Sequence, residues 1–244
     1  TGAMVSTRDA SGAAIQELAR QIPTLLGGSA DLSEPNRTEV KEARAFMPDG
    51  AGAPGRNIHW GVREHAMAAA MNGIALAGGN RVFGGTFLVF SDYQRPAIRL
   101  AALMGLPVTY VWSHDSVAVG QDGPTHQPIE HLASLRAMPG FTMQRPADAR
   151  ETVAAWMVAI ENDIALGRQP VPVLPVDPIS VYEGVRRGGY IVSDDQAAEI
   201  TVIGTGSEVE LALEAAGRLR DEGHRVRLVS MPCRERFLAQ DAAY

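Results

Sequence analysis

The sequence predicts an α/β fold: a doubly wound, mostly parallel sheet followed by a partial second α/β domain. Two local patterns and the chain length carry that expectation. Short apolar runs such as Leu106 to Trp112 alternate with stretches of helical period, the order that builds buried parallel strands joined by crossover helices. From Ile200 to Met231 the chain reads strand, helix, strand, one right-handed βαβ unit. With 244 residues, 45% of them hydrophobic, it can bury a large core and hold one full domain plus part of another.

In chain order, Asp9 or Ser11 can cap a helix whose apolar positions Ile15, Leu18, Ala19 and Ile22 keep helical spacing until Pro23. Thr24 to Gly28 reads as a short buried strand with Ser29-Ala30-Asp31 at its carboxyl end, where open α/β sheets place ligands. Asp31 is a site candidate by position, and an Asp that caps a turn is an equal reading. Ser33 to Arg56 turns polar and rich in Pro and Gly, a long loop of a functional or mobile kind. Residues Ala66 to Gly79 form an Ala, Met and Gly-rich helix too apolar on all sides for a surface position, so Glu64 near its start is expected in a packed interior. Phe87, Phe90 and Tyr93, at the end of the next strand, could wall a flat ring against that carboxyl. The plainer reading makes Glu64 a first-turn acid meeting the helix dipole and the aromatics ordinary core.

Arg95 to Met104 is expected to be helical, with Ile98, Leu100 to Ala102 and Leu103 inward, and Leu106 to Trp112 a buried strand with His114 just past its end. The loop Asp115 to Gln127 carries Gly120, Gly123 and Pro124 and brings Asp122 and His126 toward the same sheet edge, so the three polar side chains could converge. Ile129 to Ala137 and Ala149 to Asn162 read as helices around a strand at Phe141 to Arg145, with Asp148 as a cap. Pro170, Pro172, Pro175, Pro178 and Gly188-Gly189 mark 170–189 as a linker between a first domain at 1–169 and a second at 190–244. There Gly204-Thr205-Gly206-Ser207 fails as a dinucleotide fingerprint, because Val209 replaces the third glycine and no acidic residue ends the next strand. A piece with two parallel strands cannot cover both faces of its sheet, so it must lean on the first domain or on another chain.

Composition excludes several classes. Against 28 acidic residues stand 22 basic ones in no tract, a net charge of -6 that argues against a nucleic-acid partner. The single Cys233 fits a reducing compartment, and His114, His126 and His131 follow no metal-ligand spacing, so no metal ligand is assigned. No signal segment begins the chain and no apolar run could span a bilayer, which makes a cytoplasmic location without membrane contact the expectation.

Four blocks in order then point to a family. They are Gly28-Ser29-Ala30-Asp31-Leu32, Gly61-Val62-Arg63-Glu64-His65-Ala66-Met67 with Gly85-Thr86-Phe87-Leu88, Ser113-His114-Asp115-Ser116, and Gly120-Gln121-Asp122-Gly123-Pro124-Thr125-His126-Gln127-Pro128-Ile129-Glu130. Nearly the whole chain resembles the pyrimidine-binding domain and the start of the C-terminal domain of transketolases, which use thiamine diphosphate. The resemblance implies transfer of a two-carbon ketol unit from a ketose phosphate to an aldose phosphate, a step of the pentose phosphate pathway. It implies that Glu64 bonds a ring nitrogen of the aminopyrimidine and favours its imino tautomer, that Phe87, Phe90 and Tyr93 line the pyrimidine pocket, and that Asp31 lies close to the cofactor. It assigns His114, Asp122 and His126 to the substrate hydroxyls and the two-carbon unit, His114 and His126 with catalytic roles. Arg8, and Arg168 in Leu166-Gly167-Arg168-Gln169, would hold the sugar phosphate through their planar fork of donors.

The departures are Pro35 and Gly167, each where the family has a serine, and a shorter approach to Arg168. The Gly-Asp-Gly with a later Asn that holds Mg2+ or Ca2+ and the diphosphate does not occur in this sequence. The resemblance therefore implies a diphosphate-binding amino-terminal domain elsewhere, in a homodimer or a split-enzyme partner, and no activity without it. A cofactor-free assembly or regulatory subunit is the alternative. Another thiamine diphosphate enzyme, such as a deoxyxylulose phosphate synthase, is disfavoured by the Gly-Pro-Thr-His-Gln block.

Overall fold

The structure is a computed structural model whose described residues are 5–48, 55–162, 165–166, 176–242 and 244. Helix α1 (Thr7–Gln21) leads to β1 (Leu25–Ser29), and a short α2 (Ser33–Asn36) precedes β2 (Asn57–His59). Then follow α3 (Glu64–Ala77), β3 (Arg81–Phe87), α4 (Ser91–Met104), β4 (Val108–Ser113), α5 (His131–Arg136), β5 (Met143–Gln144), α6 (Ala149–Asn162) and β6 (Ala165–Leu166). The rest are α7 (Pro178–Arg187), β7 (Tyr190–Asp194), β8 (Ile200–Gly204), α8 (Glu208–Asp221), β9 (Val226–Ser230) and α9 (Arg234–Leu238). The first sheet runs β2-β1-β3-β4-β6-β5 with every pair parallel, and the second runs β7-β9-β8.

Alternation along the strands gives the first sheet two dry faces. Leu25, Phe83 and Val111 point to α1, α6 and α7, where Ile15, Trp156 and Val185 bury themselves. Val82, Val108, Tyr110 and Trp112 point the other way, to Met67, Met71, Ile98 and Leu135 of α3, α4 and α5. This is the doubly wound arrangement that the apolar runs predict. Helix α3 comes close enough to β3 that a Cβ on Gly84 would stand 2.3 Å from Met71 Sδ, so any larger residue there would have to displace the Met71 side chain.

Several expectations need correction. The cap of α1 is Ser6, whose hydroxyl accepts from the Asp9 amide, in place of Asp9 or Ser11. Helix α3 is not buried all round: Glu64, Met67, Ala68, Met71 and Asn72 are covered, while Ala66, Ala69, Ala70, Gly73 and Leu76 are exposed. In α4, Ile98 and Ala101 face inward as expected, but Leu100 and Leu103 are exposed. The apolar content of these helices thus exceeds what this chain covers. Part of the expected linker is helix α7, capped by Asp177 and packed through Val181 and Val185 into the first core. The second sheet has three strands, because β7 pairs antiparallel with β9 beside the expected β8-α8-β9 unit.

That second unit leans on the first through two buried ionisable side chains, Arg145 and Glu151. Arg145 donates from Nε to Asp115 Oδ2 at 2.9 Å, and from Nη1 to Glu208 Oε2 at 2.6 Å and to the Thr205 carbonyl at 3.3 Å. Its guanidinium lies against Gly206, in the loop whose glycine pattern fails as a dinucleotide fingerprint. Burial opposes its charge, yet the Asp115 and Glu208 carboxylates outweigh burial and raise its pKa. In α6, Asp148 accepts from the Glu151 amide, and Glu151 Oε2 accepts from the Ala147 amide, a reciprocal helix start. Glu151 Oε1 accepts from Ser230 Oγ at 2.6 Å and from Tyr190 Oη at 2.7 Å, which ties β9 and β7 to α6. The lone Cys233 is also buried, and burial pushes its thiol up to about 12.

Glu151 makes the stability of the chain depend on pH. Burial pushes its carboxyl up to about 7, against hydrogen bonds from Ser230, Tyr190 and Ala147 that favour the charged form. The folded value exceeds the ordinary 4.5, so as pH rises the unfolded chain releases the proton first. The contribution is full below pH 4.5 and is lost as pH climbs through about 7. Its size is on the order of 3 kcal/mol at most. Gln at this position keeps a donor and an acceptor and cannot ionise. Urea midpoints of wild type should fall relative to those of Glu151→Gln over roughly pH 5 to 7, whereas parallel profiles would mean that Glu151 is already ionised in the fold.

Candidate active site

Strands β1, β3 and β4 lie side by side, and the candidate residues leave their carboxyl ends. The register sets Ser29 opposite Gly85 and Phe87 opposite Ser113, so Asp31, Phe87 and His114 emerge along one sheet edge. That edge includes the switch between β1 and β3, from which the strand order runs outward both ways. Asp31 and His114 both have left-handed backbones, with φ of 64° and 57°. Non-glycine residues adopt that conformation at a cost, and such residues cluster at binding sites.

The aromatic set predicted from sequence forms a row. Phe87 and Phe90 stack with centroids 5.9 Å apart and planes 13° apart, and Tyr93 extends the row at 6.2 Å. Both histidines join it. His114 lies 3.9 Å from Phe87, and His126 meets Phe87 at 5.8 Å and Phe90 at 5.2 Å edge-on. His126 comes from the turn Pro124–His126, where Thr125 Oγ1 contacts its Nδ1 at 2.9 Å. Phe87 is buried, Phe90 and the two imidazoles are half-buried, and Tyr93 is largely exposed, so the row runs from the interior to the surface. Such a surface can receive a flat heterocycle on its face and a polar ligand at its imidazoles.

Glu64 is the first residue of α3 and is 9% exposed, which meets the expectation of an interior carboxyl. Asp31 is exposed at the end of β1. Arg8, half-buried in the first turn of α1, and Asp122, exposed in the turn Gly120–Asp122, are not part of the ring cluster. Arg168 lies outside the described residues, as do Gly167 and Pro170 to Pro175. A 670 Å³ cleft bounded by α1 and residues 40–44 contains none of the candidates.

Sequence reasoning missed the residues behind His114. Ser113 Oγ contacts His114 Nδ1 at 2.9 Å and bonds Asn36 Oδ1. Asn36 Nδ2 reaches Ser29 Oγ at 3.0 Å, and Ser29 Oγ donates to the Gly85 carbonyl at 2.7 Å. Ser29, Asn36 and Ser113 are all buried. Ser29 and Ser113 stand in the quoted blocks, but Asn36 belongs to a polar loop with no periodicity to single it out.

Among the described residues, one cluster has the composition of a metal site: Asp92, Glu130 and His131. His131 Nε2 lies 3.1 Å from Asp92 Oδ2, and its Nδ1 lies 3.9 Å from Glu130 Oε2. Arg95 also reaches Asp92, at 3.4 Å, and both carboxylates are exposed. His131 itself is buried, and Asp92 is shared between its ring and the Arg95 guanidinium.

Residues 3–183 match the transketolase pyrimidine binding domain, and residues 188–244 match the transketolase-like C-terminal domain. The chain belongs to the transketolase family. It is 54% identical over 250 residues to the transketolase of Geobacillus stearothermophilus, covering 100% of this chain and 37% of that relative. The crystal structure of transketolase from Campylobacter jejuni superposes with a TM-score of 0.92 at 43% identity, over 100% of this chain and 38% of that one. A split-gene transketolase described as an inactive beta4 tetramer matches at 28% identity and a TM-score of 0.75, over 94% of this chain and 72% of that one. The chain therefore spans little more than a third of the length of the transketolase from Geobacillus stearothermophilus.

Proposed function

We propose that this chain supplies the pyrimidine-binding and sugar-binding side of a thiamine diphosphate-dependent transketolase. The observation that carries the reading is the packing of His114 and His126 on the Phe87–Phe90 row, at the carboxyl ends of parallel strands. A flat aminopyrimidine suits that row, and Glu64 supplies a carboxyl sheltered from water at the start of α3. When bound, the cofactor supplies the electron sink that lets a two-carbon ketol unit leave one sugar and join another. In this reading Phe87, Phe90 and Tyr93 orient the ring, Glu64 exchanges a proton with one of its nitrogens, and Asp31 flanks it. His114, His126 and Asp122 take the sugar hydroxyls, and Arg8 and Arg168 take the phosphate.

The diphosphate and its Mg2+ or Ca2+ belong to residues outside this sequence, carried by another chain or another segment. The exposed apolar sides of α3 and α4 support a second copy or such a partner. A first domain at 1–169 and a second at 190–244, joined by residues 170–189 that include α7, the pentose phosphate pathway and a cytoplasmic location belong to the same reading.

Calorimetry and turnover test it. The chain alone is expected to bind thiamine diphosphate and Mg2+ weakly and to transfer no ketol unit, because the main anchor of the cofactor is its diphosphate. Mixing with a diphosphate-binding transketolase segment should create activity on sugar phosphates. A complex that forms and stays inactive with saturating cofactor would instead support an assembly or regulatory subunit.

A further inference from the structure

The buried hydrogen-bonded chain behind His114 leaves each proton one possible place. It begins at the Gly85 carbonyl, which can only accept, so the Ser29 hydroxyl must spend its proton there. Ser29 Oγ then has lone pairs alone to offer Asn36, and the atom of Asn36 that faces it must be the amide nitrogen. This orients the amide and turns its carbonyl oxygen to Ser113, whose hydroxyl must donate to it. Ser113 Oγ can now only accept from the ring nitrogen 2.9 Å away, which is His114 Nδ1.

We infer that Ser29, Asn36 and Ser113 are positioning residues that hold neutral His114 in its Nδ1–H tautomer, which makes Nε2 the unprotonated, accepting nitrogen of the ring. The functional half of this inference rests on the proposed transketolase role, in which a hydroxyl of the sugar would donate to Nε2. The tautomer itself depends only on this chain. A ring nitrogen's protonation is set by the bond the other nitrogen makes, and here that bond is fixed by a main-chain carbonyl several links away.

The order of the network also explains Gly85. A Cβ on this residue would stand 3.2 Å from Asn36 Nδ2 and 2.7 Å from Thr38 Cγ2. The glycine leaves Asn36 room to reach Ser29.

The test is a nitrogen-15 spectrum of the chain labelled at histidine, which has six such residues, with His114 assigned from the His114→Gln variant. It is recorded at a pH where the His114 signals have stopped moving, so that the ring is neutral. The expected result is a protonated Nδ1 and an unprotonated Nε2. Ser113→Ala should lose that single state and give a mixture of tautomers, while Ser113→Thr, which keeps the hydroxyl, should retain it. Circular dichroism melts confirm that the variants fold.

A wild-type chain with Nε2 protonated would overturn the inference, and so would a folded Ser113→Ala that keeps Nδ1–H unchanged. Transketolase activity of a completed enzyme is a separate readout. If it is missing while the spectrum is as expected, the proposed function fails and the tautomer stands. If activity is present, Ser113→Ala should lower kcat more than Ser113→Thr does.

Discussion

Replacing Glu64 by Gln is expected to slow ketol transfer by about 10² to 10⁴-fold in an enzyme completed with its diphosphate-binding part, the usual contribution of a proton-transfer group. Gln keeps the size and polarity of the side chain but cannot give or take a proton. The defect should therefore appear as slower proton exchange at C2 of the bound cofactor, by at least about tenfold, with the melting temperature close to wild type. Glu64 is the first residue of α3, so a second role has to be separated from this one. An acid in the first turn meets the positive end of the helix dipole, which contributes only ~0.3 to 1 kcal/mol. Normal exchange with a lowered melting temperature would leave Glu64 a helix-start residue and withdraw it from the chemistry.

Much of this architecture could be read from local pattern. Runs such as Val108 to Trp112 are apolar because both sheet faces are covered, and the end of such a strand is where His114 was expected and where it stands. Of the three side chains expected to converge, His114 and His126 meet the aromatic row, because a loop rich in Gly and Pro can return to the edge it leaves, while Asp122 stays exposed outside it. What escaped depends on partners distant in sequence. Strand β2 has three residues, and Asn57 within it spends its side chain on the Val40 and Ala43 carbonyls, so no apolar run marks it. Strand β7 follows the Gly188-Gly189 pair and needs β9, 36 residues on, as its partner. The exposed side of α3 misled for a different reason: an Ala-rich composition does not distinguish a face packed in the core from one left open to solvent. Asn36 and Arg145 carry no local signal, since Arg145 meets its acids 30 and 63 positions away; Glu151 follows Asp148 at capping-box spacing, but nothing local points to its contact with Ser230, 79 positions away.

Removing the Arg145 guanidinium is expected to cost the folded chain ~3 to 5 kcal/mol, the range for breaking a buried ion pair from one side. The side chains of Arg145 and Asp115 are 4% and 1% exposed. Asp115 Oδ1 has no hydrogen-bond partner among the described residues, so its Oδ2 contact with Arg145 is the main compensation for burying the acid. Arg145→Met fills similar space and strands that charge. Glu208 suffers less, because it is half exposed and can turn to water. Urea unfolding should show the loss in Arg145→Met, and adding Asp115→Asn should recover a large part of it, since a neutral amide is cheaper to bury than a lone carboxylate. Arg145→Lys should fall between, because one ammonium cannot reach Asp115, Glu208 and the Thr205 carbonyl with the geometry of a planar fork. A loss below ~1 kcal/mol in Arg145→Met would mean that water reaches Asp115 and that the pair is of the surface kind. Asp115 directly follows His114 and opens the loop that carries His126, so the same substitution should loosen both imidazoles against Phe87. A loss of the nuclear Overhauser contacts between these rings, at urea concentrations below the unfolding transition, would register it.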